Sequence, residues 1–327
     1  MVRQKKMGND RIKKFLQKNK IECYKELEWG SFKTVAIDLS GLIIAFARVE
    51  YQRRVTNSTN LLRDGPEIEG LLSDVTNALI THLTTRYLDR SITPHVVFDG
   101  KPPEFKDGTL ETREKAREGA RKELVTQLEL MKSMDPWEAL KHLSKLSKIY
   151  KKQPYYPMGI KEILKRRFDE LGIKWYQALG EAEELCAALA REGIVEAVYS
   201  KDQDLLAYRC SVMITDIYIP KYEKKESSKY NSGDGRMMCS VTLFEPILRG
   251  LNLDEGQFVD FYILLGTDYN TPMKTKTKAI IGQKLYHLIV EYRSIDNFPS
   301  TYDLTPLLHQ QCRLQFAPKE SGRLTVL

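Results

Sequence analysis

The sequence predicts an α/β protein built on a twisted, mostly parallel central sheet flanked by helices. Short apolar strands recur at 34–38, 95–99 and 197–199, separated by stretches whose apolar residues follow helical spacing. That alternation is what a parallel sheet with crossover helices requires. Each of those strands also runs into acid: TVAID ends on Asp38, HVVFD ends on Asp99, and AVYSKDQD leads to Asp202 and Asp204. Ligands of open α/β sheets gather beyond the carboxyl ends of the strands. Three acidic strand ends therefore predict one metal-binding cleft.

Residues 1–33 read as a basic leader and a short helix that lead into the first strand. Ile68, Leu71, Leu72, Val75, Leu79, Ile80 and Leu83 repeat at helical spacing and predict a core helix over 65–90. After the second strand, GKPP breaks regular structure, because Pro102 and Pro103 cannot join a sheet interior. Two highly charged helices follow, one over 110–134 and one after Pro136. The first carries Arg113, Arg117 and Arg121 among glutamates. The second carries Lys141, Lys145, Lys148, Lys151 and Lys152, with Tyr150, Tyr155 and Tyr156 beside its end. On composition alone both are surface scaffold laced with ion pairs, although the basic patch with its tyrosines also suits base stacking.

A helix over 160–171 and a strand over 173–176 lead into GEAEELCAALA. There Ala182, Leu185, Cys186 and Leu189 form a buried face behind Glu181 and Glu183. Strand 212–219 comes next, then a polar loop over 221–235. A helix from Glu255 runs into Asp268, and an amphipathic helix spans 279–292. The stretch after Pro299 carries only weak signals.

Acids at helix starts favour the helix dipole whatever else they do, so Glu181 with Glu183, or Asp202 with Asp204, is explained either way when taken alone. The two further strand-end aspartates favour a cluster. Converging carboxylates repel, and a hard cation with oxygen ligands relieves that repulsion. The net charge of +7 suits a polyanionic partner, while a merely soluble basic protein fits it as well. No apolar run reaches the ~18 residues of a membrane span, and MVRQKKMGND lacks the apolar core of a signal peptide. Five widely spaced cysteines without a CxxC point to a reducing, intracellular compartment and away from structural zinc.

VAIDLS, VVFDGKPPEFK, GEAEELCAALA, SKDQDLLAY and ILLGTDYN stand in the order and spacing of the flap endonucleases, which this sequence resembles over roughly 34–292. These are structure-specific 5′ nucleases of PIN-like fold with a helical arch, and GKPP looks most like flap endonucleases proper. The resemblance makes Asp38, Asp99, Glu181, Glu183, Asp202, Asp204 and Asp268 the carboxylates of a site for two Mg2+ ions, with Mn2+ able to substitute. Lys106 and Arg113 match the basic pair that approaches the scissile phosphate. The two charged helices then become the arch, over about 104–160, through which a single-stranded 5′ flap passes.

The implied domains are a leader (1–33), a 5′-nuclease domain (34–298) with a duplex-binding hairpin at about 269–293, and a C-terminal tail (299–327). The implied activity is cleavage of 5′ flaps on branched DNA, in replication or repair, within the nucleus or wherever DNA is replicated. The alternatives are a 5′→3′ exonuclease or junction nuclease of the same fold, a ribonuclease acting on single strands, or a nucleic-acid-binding subunit that cuts nothing.

The sequence departs from the family pattern in four places. MGND begins at Met7, behind six further residues. Ile44 stands where an aromatic is expected to stack on a base. TPMKTKTKAIIGQK replaces the glycine-rich hairpin, with Lys274, Lys276, Lys278, Gly282 and Lys284 as the residues expected to hold DNA, although a solvated basic loop fits the lysine run too. GRLTVL is a poor match for a sliding-clamp peptide, so a clamp partner is not evident.

Overall fold

The computed structural model describes residues 10–57, 70–103, 159–220, 236–273 and 282–326, together with parts of 115–149. In chain order the elements are α1 (Asp10–Lys18), β1 (Tyr24–Glu28), β2 (Thr34–Asp38), α2 (Leu39–Asn57), α3 (Leu71–Arg86) and β3 (Thr93–Phe98). After the charged stretch come α4 (Ile160–Leu171), β4 (Lys174–Ala178), α5 (Ala182–Arg191), β5 (Ala197–Tyr199), α6 (Asp204–Ala207) and β6 (Val212–Tyr218). The remainder is β7 (Met238–Leu243), α7 (Phe244–Leu251), α8 (Glu255–Leu265), α9 (Gly282–Tyr292), α10 (His309–Gln315) and β8 (Thr325–Val326). None of the described helices is long and apolar enough to cross a membrane.

The chain falls into two compact units. One comprises Met1–Asp38, Ser91–Pro102 and Tyr176–Leu327; the other comprises Leu39–Arg90 and Pro103–Trp175. The first holds the eight-stranded sheet, ordered β1-β7-β6-β5-β2-β3-β4-β8, which β4 enters at Tyr176. Its centre is parallel: β2 pairs with β3 and β5, and β5 with β6. Antiparallel pairs, β1 with β7, β6 with β7 and β4 with β8, finish the margins. The middles of the central strands are buried, as in Val35, Ala36, Ile37, Val96, Val97 and Val198. Such near-continuous apolar runs are the mark of strands covered on both faces.

In this unit α8 is a core helix, with every residue from Gln257 to Leu265 buried. Asp254 caps it, accepting from the Gln257 amide at 2.8 Å while the Gln257 side chain accepts from the Asp254 amide at 3.1 Å, a complete capping box. Helix α10 docks on it through polar contacts: Arg313 grips the buried Asp260 carboxylate with two bonds of 2.6 and 2.5 Å.

In the second unit α2 packs on α3, and α3 on α4. The buried stripes are Leu42, Ile43, Ala47 and Tyr51 on α2, Leu71, Val75, Leu79 and Leu83 on α3, and Ile160, Leu164 and Phe168 on α4. The described residues between 115 and 131 and between 137 and 149 are helical, separated by a break at 133–135. Asp135 starts the second of these stretches by accepting from the Trp137 and Glu138 amides at 2.8 and 3.1 Å. The expected loop over 221–235, the first nine residues of the leader and Tyr150, Tyr155 and Tyr156 lie outside the described residues.

Candidate active site

The site begins with strand register. In the sheet Ile37 is level with Tyr199, and Asp38 with Val97. Because these strands are parallel, Asp38, Asp99 and the SKDQD turn all leave the sheet at the same edge. Ser200, one step past β5, accepts the Asp202 amide on its hydroxyl at 3.0 Å, and the Asp204 amide donates to Asp202 Oδ1 at 3.0 Å. These two side-chain bonds shape the turn that opens α6 and hold the Asp202 carboxylate near the strand end.

Asp99 is tied to the α5 N-terminus by backbone contact. Gly100 donates to the Gly180 carbonyl at 2.7 Å and Lys101 to the Leu179 carbonyl at 2.9 Å. A Cβ at position 100 would collide with the Ala178 and Leu179 carbonyl oxygens, which explains the glycine in GKPP. The approach lets Asp99 Oδ1 accept the Ala182 amide at 2.8 Å. Glu181 is the extended residue just before α5, and Glu183 lies in its first turn.

The last aspartate sits on a turn that builds itself. Gly266 ends α8 at φ +88°, a conformation open mainly to glycine, with Pro272 packed where a side chain would be. Asn270 Oδ1 accepts from the Thr267 amide at 2.9 Å and from the Thr267 hydroxyl at 2.7 Å, and the Asn270 amide group donates to the Ile263 carbonyl at 2.9 Å. Asp268 is held within that turn.

Burial pushes the Glu183 carboxyl well above the ordinary glutamate range, and the charges of Asp38, Asp202, Asp99 and Glu181 push it the same way. Those five carboxylates are therefore electrostatic neighbours. Asp204, Asp202 and Asp268 come together around Tyr262, whose phenol is raised by burial first and then by those charges. Among the described residues no three acidic, histidine or cysteine side chains close into a formed metal-coordinating group. The donor set is all carboxylate oxygen, with like-charged neighbours crowded around Glu183, so it fits a hard divalent cation rather than a thiophilic one.

Two tyrosines that the sequence reading passed over belong to the site. Tyr269 donates its hydroxyl to Glu181, and Tyr262 donates to Asp204 Oδ1 at 2.8 Å. Both are buried, and a buried phenol needs a polar partner. That rule, with Tyr269 adjacent to Asp268, was the only signal available.

Lys106, Arg113, Lys274, Lys276 and Lys278 lie outside the described residues. Gly282 is the first residue of α9, and a Cβ there would press on the Phe15 ring at 3.1 Å, so its smallness serves packing of α1. Lys284 is exposed on α9.

The chain matches the models of the XPG N-terminal domain over residues 7–120 and of the XPG I-region over residues 172–268. It is 32% identical to Flap endonuclease 1 of Candida glabrata over 234 residues, covering 68% of this chain and 55% of that protein. It is 31% identical to Flap endonuclease 1 of Brugia malayi, covering 74% of this chain and 58% of the relative. The chain thus spans a little over half the length of these relatives. The flap endonuclease-1 of Methanococcus jannaschii shares the fold at a TM-score of 0.53 and 21% identity, over 91% of this chain and 82% of that one. The catalytic core of Rad2 solved with a DNA substrate does so at 0.54 and 19%, over 94% and 76%. Both family models lie in order along the chain, their spans contain all the gathered carboxylates, and the sheet has the PIN-like nuclease architecture: the chain belongs to the XPG/flap endonuclease family.

Proposed function

We propose that this chain is a metal-dependent, structure-specific endonuclease that hydrolyses phosphodiester bonds at 5′ flaps of branched DNA, in replication or repair. The observation that carries the proposal is the gathering of acids around Glu183 at the carboxyl edge of the parallel strands, in a chain of this family. Asp38, Asp99, Glu181, Glu183, Asp202, Asp204 and Asp268 would hold two Mg2+ ions, some through water. Bound there, the ions would supply Lewis acidity and a nucleophile at neutral pH for an in-line displacement at phosphorus. The Asp204 and Ala182 amides hold Asp202 Oδ1 and Asp99 Oδ1, which supports a fixed direction for those two carboxylates.

Lys106 and Arg113 are assigned to the scissile phosphate, where one positioned cationic donor is worth ~3 kcal/mol in the transition state. The helices of the 104–160 region are assigned to the flap, and the 269–293 region, with Lys274, Lys276, Lys278, Gly282 and Lys284, to duplex DNA. The acting body of the protein is the 34–298 nuclease domain, working wherever its host replicates or repairs DNA.

The test uses labelled flap, nicked, gapped and single-stranded DNA with and without Mg2+. Flap cleavage that needs Mg2+ is expected, and Asp202→Ala or Asp99→Ala should abolish it while flap binding stays within about threefold of the parent, because phosphate grip lies elsewhere. Cleavage retained by either variant would refute the site, and a preference for nicked or gapped DNA over the flap would favour the exonuclease alternative.

A further inference from the structure

The C-terminal segment, which sequence patterning leaves almost blank, reaches the carboxylates through a continuous chain of side chains. Gln315, at the end of α10, is buried, and its amide group donates to the Tyr208 hydroxyl at 2.8 Å. Tyr208 and Tyr269 hydroxyls are 2.9 Å apart, and Tyr269 donates to Glu181. The direction of the chain follows from its ends. An ionised carboxylate only accepts, so the single Tyr269 proton points to Glu181. Tyr208 must then give its own proton to Tyr269 and take the Gln315 donor on its lone pair. Every link points toward Glu181, and aligned hydrogen bonds of this kind polarise and strengthen one another.

Phe316 fastens the same group by packing. Its ring lies 5.0 Å from Tyr208, 5.5 Å from Tyr269 and 6.2 Å from Tyr262, each edge-on. Tyr262 in turn donates to Asp204. The segment itself is anchored on three sides: Arg209 donates to the Phe316 carbonyl at 2.5 Å, Arg191 to the Lys319 carbonyl at 2.8 Å, and Lys319 pairs with the buried Glu184 at 2.5 Å. A segment serving only to cover apolar surface has no need of a polar connection that ends on the acid preceding α5.

We propose that Tyr269, supported through Tyr208 by Gln315 and Phe316 of the C-terminal segment, is a positioning residue that orients Glu181 for divalent-cation binding, with Tyr262 doing the same for Asp204. This rests on the reading of the carboxylates as a metal site. Partners behind a ligand fix its direction, and losing one typically lowers metal affinity ten- to a hundredfold.

The test is calorimetric titration of the DNA-free protein with MnCl2. Tyr269→Phe should weaken Mn2+ binding about tenfold, and Tyr208→Phe should weaken it less, in the same direction. The double variant should be no worse than Tyr269→Phe, since one cut interrupts the chain. Tyr286→Phe is the control: it deletes a hydroxyl in the same unit that donates at 2.9 Å to a backbone carbonyl, that of Leu251, rather than to an acid, and should bind Mn2+ like the parent. Parental affinity in Tyr269→Phe, or equal losses in the control, would overturn the positioning role while leaving the metal reading intact. Additive losses in the double variant would overturn the connection through Tyr208. A parent that binds no Mn2+ would overturn both readings together. If Tyr269→Phe does not fold, Tyr208→Phe and Gln315→Leu carry the same comparison.

Discussion

At the residue scale the protein sets a carboxylate against its own neighbours. Glu183 is raised by burial and then by Asp38, Asp202, Asp99 and Glu181, so without a cation the folded protein holds a proton that the unfolded chain releases at ordinary glutamate pH. The sign follows from linkage. Below the unfolded value both states are protonated and folding carries no penalty. As pH climbs above it the native state binds more protons than the unfolded one, and stability falls until the folded value is passed. The metal-free protein should therefore melt at progressively lower temperature as pH rises from about 4.3 toward neutrality through this group. Glu183→Gln should raise the metal-free melting temperature near pH 7 and flatten that dependence, while removing cleavage. Adding Mg2+ should stabilise the parent more than the variant, by mass action on the folded state. Differential scanning calorimetry over pH, with and without Mg2+, reads all three effects. A metal-free variant that melts below the parent at neutral pH would show that Glu183 is held by its bonds rather than strained by its charge.

At the element scale, what the sequence discloses depends on how an element is stabilised. Strands β2 and β5 and helix α4 begin and end where apolar pattern puts them, because burial is what defines them. Strand β1, YKELE, is an edge strand with exposed side chains and no apolar alternation, so it is visible only in its pairing with β7. Helix α10, HQQCRLQ, is held by Arg313 and Gln315 to partners more than fifty residues away in sequence, and such contacts leave no periodic trace. The carboxylates were legible because strand ends advertise themselves. The tyrosines behind them were not, since their partners are set by tertiary contact alone. Helix α2 carries a further consequence. Ile44 stands where the family presents an aromatic to a base, and the nearby half-buried Phe46 ring packs edge-on against His82 at 5.2 Å. Base–aromatic stacking is worth ~1–3 kcal/mol, of which isoleucine supplies only part. Products from one defined flap should accordingly spread over neighbouring nucleotides, and Ile44→Tyr should sharpen them. A single sharp product from the parent, mapped at nucleotide resolution, would count against this.

For the molecule as a whole the question is how a chain that gathers so much acid at one edge holds a polyanion. The net charge is +7 in spite of the clustered carboxylates, so basic charge predominates over the rest of the chain. A glycine-rich hairpin grips phosphate with backbone amides, which form an anion-binding nest without side-chain charge. Here TPMKTKTKAIIGQK takes its place, and Lys274, Lys276 and Lys278 alternate with Thr275 and Thr277. Alternating residues of an extended chain share one face. Three ammonium groups on one face would exchange dipolar grip for charge. Charge neutralisation releases counterions, so log affinity falls with log salt by ~0.9 for each phosphate contacted on duplex DNA. Replacing the three lysines with glutamine should weaken duplex binding at low salt and flatten the salt slope by up to about three such contacts. Mn2+ affinity of the DNA-free protein should be unchanged, and cleavage at saturating enzyme should survive, because the carboxylates are supported from β2, β3, β5, α5, α8 and the C-terminal segment. Fluorescence anisotropy of a labelled duplex across a salt series measures the slope. If parent and triple variant fall along parallel lines, the loop is an ordinary solvated one, and the duplex is held by other basic residues, among which the exposed Lys284 of α9 is the first to replace.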